Sequence, residues 1–231
     1  MAKAILFDIE NTLLCPEVPA VQRFAALRLH GEPLFTETTA REAVRQAELW
    51  TARQILHELE TGTWMDDAQF FRNVCAVYRA AAAQQGAEVG GAIEVALTGR
   101  TQWSPAPGVH ALLSALGGKY RLGIVSNNRA RIRRTLEEAE LLPYFSAVTI
   151  SEEAGVEKPD PRILAMTCEA LGVAPAESLY VGDHPFDVLC AERAGMDCAW
   201  VHIGLFGPED LPAQPRWTLH ALAALAAVAA L

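Results

Sequence analysis

From Val109 onward the chain alternates between two hydrophobic periodicities, and that alternation leaves few folds open. Val109, Leu112, Leu113 and Leu116 recur at helical spacing and stop at Gly117-Gly118, and Leu122 to Val125 is a short apolar run ending at Ser126-Asn127-Asn128. Ile132 and Leu136 mark the next helix, and Ala147 to Ile150 the next strand. Ile163, Leu164, Cys168 and Leu171 mark a helix stopped by Gly172, and Leu179-Tyr180-Val181 is a strand ending at Gly182-Asp183. Val188, Leu189 and Ala194 give one more helix, and Ala199 to Ile203 a last strand. Strands this short and this uniformly apolar are buried on both faces. Their alternation with amphipathic helices predicts an α/β fold, a Rossmann-like doubly wound parallel sheet. Right-handed crossovers then bring every strand's carboxyl end to one edge, where open sheets of this kind bind ligands.

The N-terminus adds a strand of the same type. Ala4-Ile5-Leu6-Phe7 is apolar throughout, and the chain turns polar at Asp8, with Glu10, Asn11 and Thr12 close behind. Beyond it, Cys15-Pro16-Glu17-Val18-Pro19 reads as a rigid link. From about Ala20 to Ala83 the pattern is helical: Ala40, Ala43, Val44 and Ala47, then Ile55, Leu56 and Leu59, then Phe70, Phe71, Val74 and Tyr78. Thr61-Gly62-Thr63-Trp64 interrupts it, and Asp66 is placed to cap the helix that follows. A loose Gly/Ala stretch, Gln84 to Ala92, leads to the Pro-Gly cluster of Trp103 to Gly108, a domain boundary. The expected organisation is a catalytic core of residues 1–15 and 101–231, with a smaller all-helical cap, 16–100, inserted after the first strand. The apolar tract Ala221 to Leu231 is too short to span a bilayer and reads as an Ala/Leu helix started by Thr218.

Composition narrows the partners. A net charge of −9 and a pI near 5.2 argue against nucleic-acid and anionic-membrane surfaces. The five cysteines, Cys15, Cys75, Cys168, Cys190 and Cys198, form no C-x-x-C pair, which fits free core thiols in a reducing cytoplasm. Asp8 comes too early for a signal-peptide apolar region. No protein partner is indicated.

The strands deliver a distinctive set of side chains to their common edge: Asp8 and Glu10, Ser126 with Asn127, Lys158, and Asp183 with Asp187. Clustered carboxylates repel one another unless a cation sits among them. Oxygen-only donors without a His or Cys cluster favour Mg²⁺, which also takes phosphate oxygens. Lys158 offers a point charge for a phosphate or a carboxylate, and Ser126 with the amides after it offers hydrogen-bond donors.

In this order the residues resemble the haloacid dehalogenase-like hydrolase superfamily over nearly the whole chain. Its four motifs are matched by FDIENTL (7–13), VSNN (125–128), EKPDP (157–161) and VGDHPFDVLCAERAGM (181–196). The last, with K-P-D-P, is similar to the subfamily with a helical cap after the first strand, and LETGTWMDDAQFF (59–71) to the cap loop that helps select substrates. The resemblance implies a Mg²⁺-dependent phosphatase acting on a small phosphorylated metabolite. Asp8 would be the nucleophile, forming an aspartyl-phosphate. Mg²⁺ would be held by the Asp8 side chain, the Glu10 backbone carbonyl and Asp183, with Asp187 close behind. Ser126 and the Asn127 amide would hold phosphoryl oxygens, and Lys158 would balance charge.

Glu10 departs from the pattern, because the family's acid–base residue at that place is an Asp. The enolase-phosphatase branch also reads D-I-E in its first motif, although the residues after it and the second motif differ. Alternatives are a metal-independent 2-haloacid dehalogenase or a phosphomutase of the same fold, or, from a different functional class, a binding protein whose site is catalytically weakened because Glu10 replaces the usual Asp. Arg129, Arg131, Arg133 and Arg134 read as a solvated helix face, and His184 as a loop residue. Phe71 is assigned to the core, and Trp64 is left open as a pocket residue.

Overall fold

All four residues of strand β1 (Ala4–Phe7) are fully buried, as an all-apolar central strand requires. The structure, a computed structural model, describes residues 2–29, 31–63, 65–84, 91–98 and 101–228. Two compact units divide the chain: Met1–Pro16 with Trp103–Leu231, and Glu17–Gln102.

After β1 a short strand, β2 (Leu14–Pro16), ends the first segment of the larger unit. The inserted unit then runs through α1 (Ala20–Ala25), β3 (Arg28–Leu29), β4 (Glu32–Pro33), α2 (Glu37–Thr61), α3 (Asp67–Ala83) and α4 (Ala92–Thr98). Thr36 starts α2, its hydroxyl accepting from the Thr39 N–H, and Gly62 ends it at φ 68°, a left-handed conformation glycine adopts without a steric penalty. Asp66 caps α3 by accepting from the Gln69 N–H at 2.7 Å, as expected from its position. Ala40, Ala43, Val44 and Ala47 form the buried stripe of α2, which packs on α1 and α3. Phe24 stacks on Tyr78, with ring centroids 4.2 Å apart.

The larger unit resumes with β5 (Trp103–Pro105), α5 (Val109–Gly117), β6 (Arg121–Ser126), α6 (Ile132–Glu138), β7 (Ala147–Ile150), α7 (Ser151–Ala154) and α8 (Arg162–Leu171). It ends with β8 (Ser178–Gly182), α9 (Pro185–Arg193), β9 (Asp197–Val201), β10 (Trp217–Leu219) and α10 (Leu225–Val228). The six-stranded sheet has the order β10-β9-β8-β1-β6-β7 and every pairing in it is parallel. Helices surround it, so the fold is the expected α/β Rossmann-like one. In register, Phe7 lies opposite Ile124 on one side and Val181 on the other. The residues just beyond those three therefore come out together at the carboxyl edge.

Several expectations need correction. The insert is not purely helical, since Arg28–Leu29 and Glu32–Pro33 pair as a two-residue antiparallel ladder. Most of the loose stretch Gln84 to Ala92 lies outside the described residues, at 85–90; from Ala92 a further helix forms, α4 at Ala92–Thr98. The link at Cys15-Pro16 is partly strand, because β2 pairs antiparallel with β5; that pairing ties Pro16 to the larger unit. Ile203 does not close the sheet, since β10 adds a further parallel strand at the edge. Thr218 lies inside β10 and starts no helix; the C-terminal tract forms a 3-10 turn at Leu222–Ala224 and then α10. Phe71 is only partly buried, and Trp64 lies outside the described residues. All five cysteines are free, and among the described residues no helix is long and apolar enough to cross a membrane.

Candidate active site

The pairing of β1 continues one residue past the strand, the Asp8 N–H donating to the Val181 carbonyl at 2.9 Å. This places the Asp8 side chain at the end of β8, whose own continuation carries Asp183. Asp187 follows on the first turn of α9. Its Oδ2 accepts from the His184 N–H at 2.9 Å while the His184 ring Nδ1 accepts from the Phe186 N–H at 3.1 Å, a reciprocal cap. Carboxylate oxygens of Asp8, Asp183 and Asp187 all lie within 4.8 Å of one another, and all three residues are buried.

Among the described residues one cation enters that cluster. Lys158, 4% exposed, donates to Asp187 Oδ1 at 2.6 Å, Asp8 Oδ1 at 2.8 Å and the Tyr180 hydroxyl at 3.0 Å, which uses all three ammonium donors. The lysine is placed by Asn127, whose side chain accepts from the Lys158 N–H at 2.7 Å and donates to the Lys158 carbonyl at 2.9 Å. Burial alone would lower the Lys158 pKa, but Asp187 and Asp8 outweigh it and hold the amine above its usual range.

The carboxylates are less well compensated. Burial raises the Asp8 pKa; Lys158 opposes the shift, Asp187 adds to it, and the Ser126 hydroxyl bonds the carboxyl and lowers it. Burial pushes Asp183 well above the usual carboxylate range, with Asp187 and Asp8 adding to the effect. Three acids against one ammonium leave an unbalanced negative pocket of oxygen donors, a set that suits a hard divalent cation. Gly182 belongs to the same arrangement, because a Cβ there would come within 2.2 Å of Asp187 Oδ2.

Glu10 stands apart from the acidic cluster. Its Oε1 accepts from Asn128 Nδ2 at 3.0 Å, and burial raises its pKa. The carboxylate of Glu10 is thus not among the clustered ligand atoms, and a ligand role would fall to its backbone carbonyl.

Asp8, Ser126, Asn127, Lys158, Asp183 and Asp187 therefore lie together, with Glu10 at the margin. Three residues were missed. Tyr180 looked like one more apolar strand position, yet its hydroxyl touches Lys158 and lies 2.9 Å from the Val125 carbonyl. Trp200, on the neighbouring strand β9, donates its indole N–H to the Asp183 carbonyl at 2.7 Å. Asn128 read as a turn residue, although a side-chain amide one place past Asn127 could have flagged it. His184 is a helix cap rather than a plain loop residue, its imidazole pKa lowered by burial to about 4. The arginines behave as a paired surface: Arg133 bonds Glu153 and Arg134 bonds Glu138.

Comparison with known proteins agrees with this geometry. A family model described as haloacid dehalogenase-like hydrolase matches residues 2–195, and the chain belongs to that family. A phosphoserine phosphatase of Thermus thermophilus is 49% identical over 84 residues, 36% of this chain and 33% of that protein. The pyrimidine 5'-nucleotidase YjjG of Escherichia coli is 35% identical over 124 residues, 52% of this chain and 54% of that protein. The matched stretch thus spans about a third to a half of these relatives' own lengths. A solved L-2-haloacid dehalogenase from Xanthobacter autotrophicus shares the fold, with a TM-score of 0.64 at 23% identity over 100% of this chain and 99% of that one.

Proposed function

We propose that this hydrolase is a Mg²⁺-dependent phosphatase that acts on a small phosphorylated metabolite through an aspartyl-phosphate on Asp8. The observation that carries the reading is the buried triad of Asp8, Asp183 and Asp187 with a single ammonium beside it. Displacement of halide from carbon needs no metal, and so gives no reason to bury two further acids beside the nucleophile. The phosphatase relatives support the same choice.

In this reading an Asp8 carboxylate oxygen attacks phosphorus as the bond to the leaving oxygen breaks. Glu10 gives that oxygen its proton, then takes one from the water that attacks the phosphoaspartate. Hydrolysis releases inorganic phosphate and restores Asp8. Lys158 neutralises Asp8 and orients it, while Ser126 and the backbone amide of Asn127 hold phosphoryl oxygens. A metal ion held by Asp8, Asp183 and the Glu10 carbonyl, with Asp187 behind them, would supply charge neutralisation to nucleophile and phosphate. The helical unit, residues 16–100 by sequence and Glu17–Gln102 by packing, takes the role of substrate-selecting cap.

The test is turnover of 4-nitrophenyl phosphate and of a panel of phosphometabolites, with Mg²⁺ and after chelation. Loss of turnover on chelation and in Asp8→Asn is the expected result. Chloride release from 2-chloropropionate without metal, or phosphatase activity indifferent to Asp8→Asn, would overturn the proposal.

A further inference from the structure

The acid in the first motif is one methylene longer than its family's usual residue, and the structure holds a partner suited to it. Asn128 follows the end of β6, the strand beside β1, and its Nδ2 donates to Glu10 Oε1 at 3.0 Å. The orientation of this carboxamide is dictated by its surroundings. Its Oδ1 accepts from the Arg129 N–H at 2.9 Å, so the NH₂ group must face Glu10. The backbone is pinned as well. The Asn128 N–H donates to Ser151 Oγ at 3.0 Å, that hydroxyl donates back to the Asn128 carbonyl at 3.2 Å, and the Glu152 N–H reaches the same carbonyl at 3.3 Å.

A glutamate at the rim of a site has three side-chain torsions to fix, and fixing them costs conformational entropy. A hydrogen bond to a charged acceptor offsets that cost, and a pre-oriented donor does so for one geometry only. The chemistry of the partner matters too. A carboxamide donates but takes up no proton near neutral pH, so it occupies Oε1 without competing for the proton Glu10 would transfer. Among the described residues, the charged groups that bear on Glu10 are Asp8, Lys158 and Arg131; none of them bonds its carboxylate in the way Asn128 does.

We propose that Asn128 is the positioning residue for Glu10, a station that lets the longer acid do acid–base work where an aspartate is usual; this role rests on the phosphatase reading above. An aspartate at position 10 is too short to make the same contact, so the two residues are expected to act as a coupled pair.

The experiment compares kcat/KM, which reports the transfer to Asp8, for phenyl phosphate, whose leaving group needs protonation, with kcat/KM for 4-nitrophenyl phosphate, whose leaving group needs much less. Wild type, Asn128→Ala, Glu10→Asp and the double variant are measured, with thermal unfolding as a check on folding. The phenyl-to-nitrophenyl ratio is expected to fall about tenfold in Asn128→Ala. The double variant is expected to match Glu10→Asp alone, which is the signature of coupling. Equal loss on both esters in Asn128→Ala, or independent effects of the two substitutions, would overturn the positioning role while leaving the phosphatase reading intact. A wild-type enzyme that turns over neither ester nor any member of the phosphometabolite panel would overturn that reading and this role together.

Discussion

The phenol oxygen of Tyr180 stands 3.0 Å from Nζ of Lys158 and 2.9 Å from the Val125 carbonyl, so one hydroxyl ties the buried amine to the end of β6. Burial, with Asp187 and Asp8 nearby, raises the Tyr180 pKa well above its usual value, so the hydroxyl keeps its proton. Tyr180→Phe removes one of the three acceptors of Lys158. Stability is expected to drop by about 1–2 kcal/mol in denaturant unfolding, and kcat to fall more than KM rises, as the proposed role of Lys158 on Asp8 requires.

Gly182→Ala and Gly123→Ala both add a methyl group to a crowded strand, with different neighbours. At Gly182 the new carbon meets the Asp187 carboxylate, 2.2 Å from Oδ2. At Gly123 it meets Thr167 Cγ2 at 2.9 Å and Leu171 Cδ1 at 3.2 Å, on a helix behind the sheet. Each is expected to cost about 1–3 kcal/mol of stability through overpacking. Only Gly182→Ala is expected to abolish Mg²⁺-dependent turnover, which a kinetic assay on the folded fraction would show.

Mg²⁺ is expected to raise the thermal midpoint, because a cation among Asp8, Asp183 and Asp187 relieves their repulsion. At a hundredfold excess over its Kd the gain is about 2.7 kcal/mol. Asp183→Asn should lose most of that gain while becoming more stable without metal, since it removes a carboxyl whose ionised form burial and its acidic neighbours disfavour. Differential scanning with and without Mg²⁺ reads both effects.

His184 gives a pH dependence with a definite sign. Its pKa is lowered by burial from 6.5 to about 4, so below pH 6.5 the unfolded chain takes up a proton that the folded one refuses. The contribution is therefore intact above pH 6.5 and is lost as the pH falls toward 4. Protonation also removes the acceptor that caps α9 at the Phe186 N–H. His184→Asn keeps a capping acceptor without the titration. Between pH 7 and pH 4, wild type should lose roughly 1–3 kcal/mol relative to this variant, as measured by urea unfolding across that range.

The sheet was readable because its inner strands carry short apolar runs that end abruptly in polar residues. Asp8, Ser126 and Asp183 each sit one or two residues past such a run, so the edge on which they meet followed from topology alone. The contacts that orient them were harder to foresee. Tyr180 and Trp200 are strand residues whose bulk is buried like any core aromatic, and only the direction of one polar atom gives each a second task. The small ladder at Arg28–Leu29 with Glu32–Pro33, and β10 at Trp217–Leu219, are too short for a period-two pattern to register. Thr218 looked like a helix start because hydroxyl residues favour that position, but sheet pairing with β9 prevailed.

The central place of β1 has a consequence for how the chain must assemble. Ala4 pairs with Arg121 on one flank and Ser178 on the other. During synthesis β1 has no sheet partner until the whole insert has left the ribosome, and its second flank stays open until β8 follows. Contacts this distant in sequence close slowly. An unpaired Ala-Ile-Leu-Phe segment is therefore the stretch of this polypeptide most in need of a chaperone's shelter.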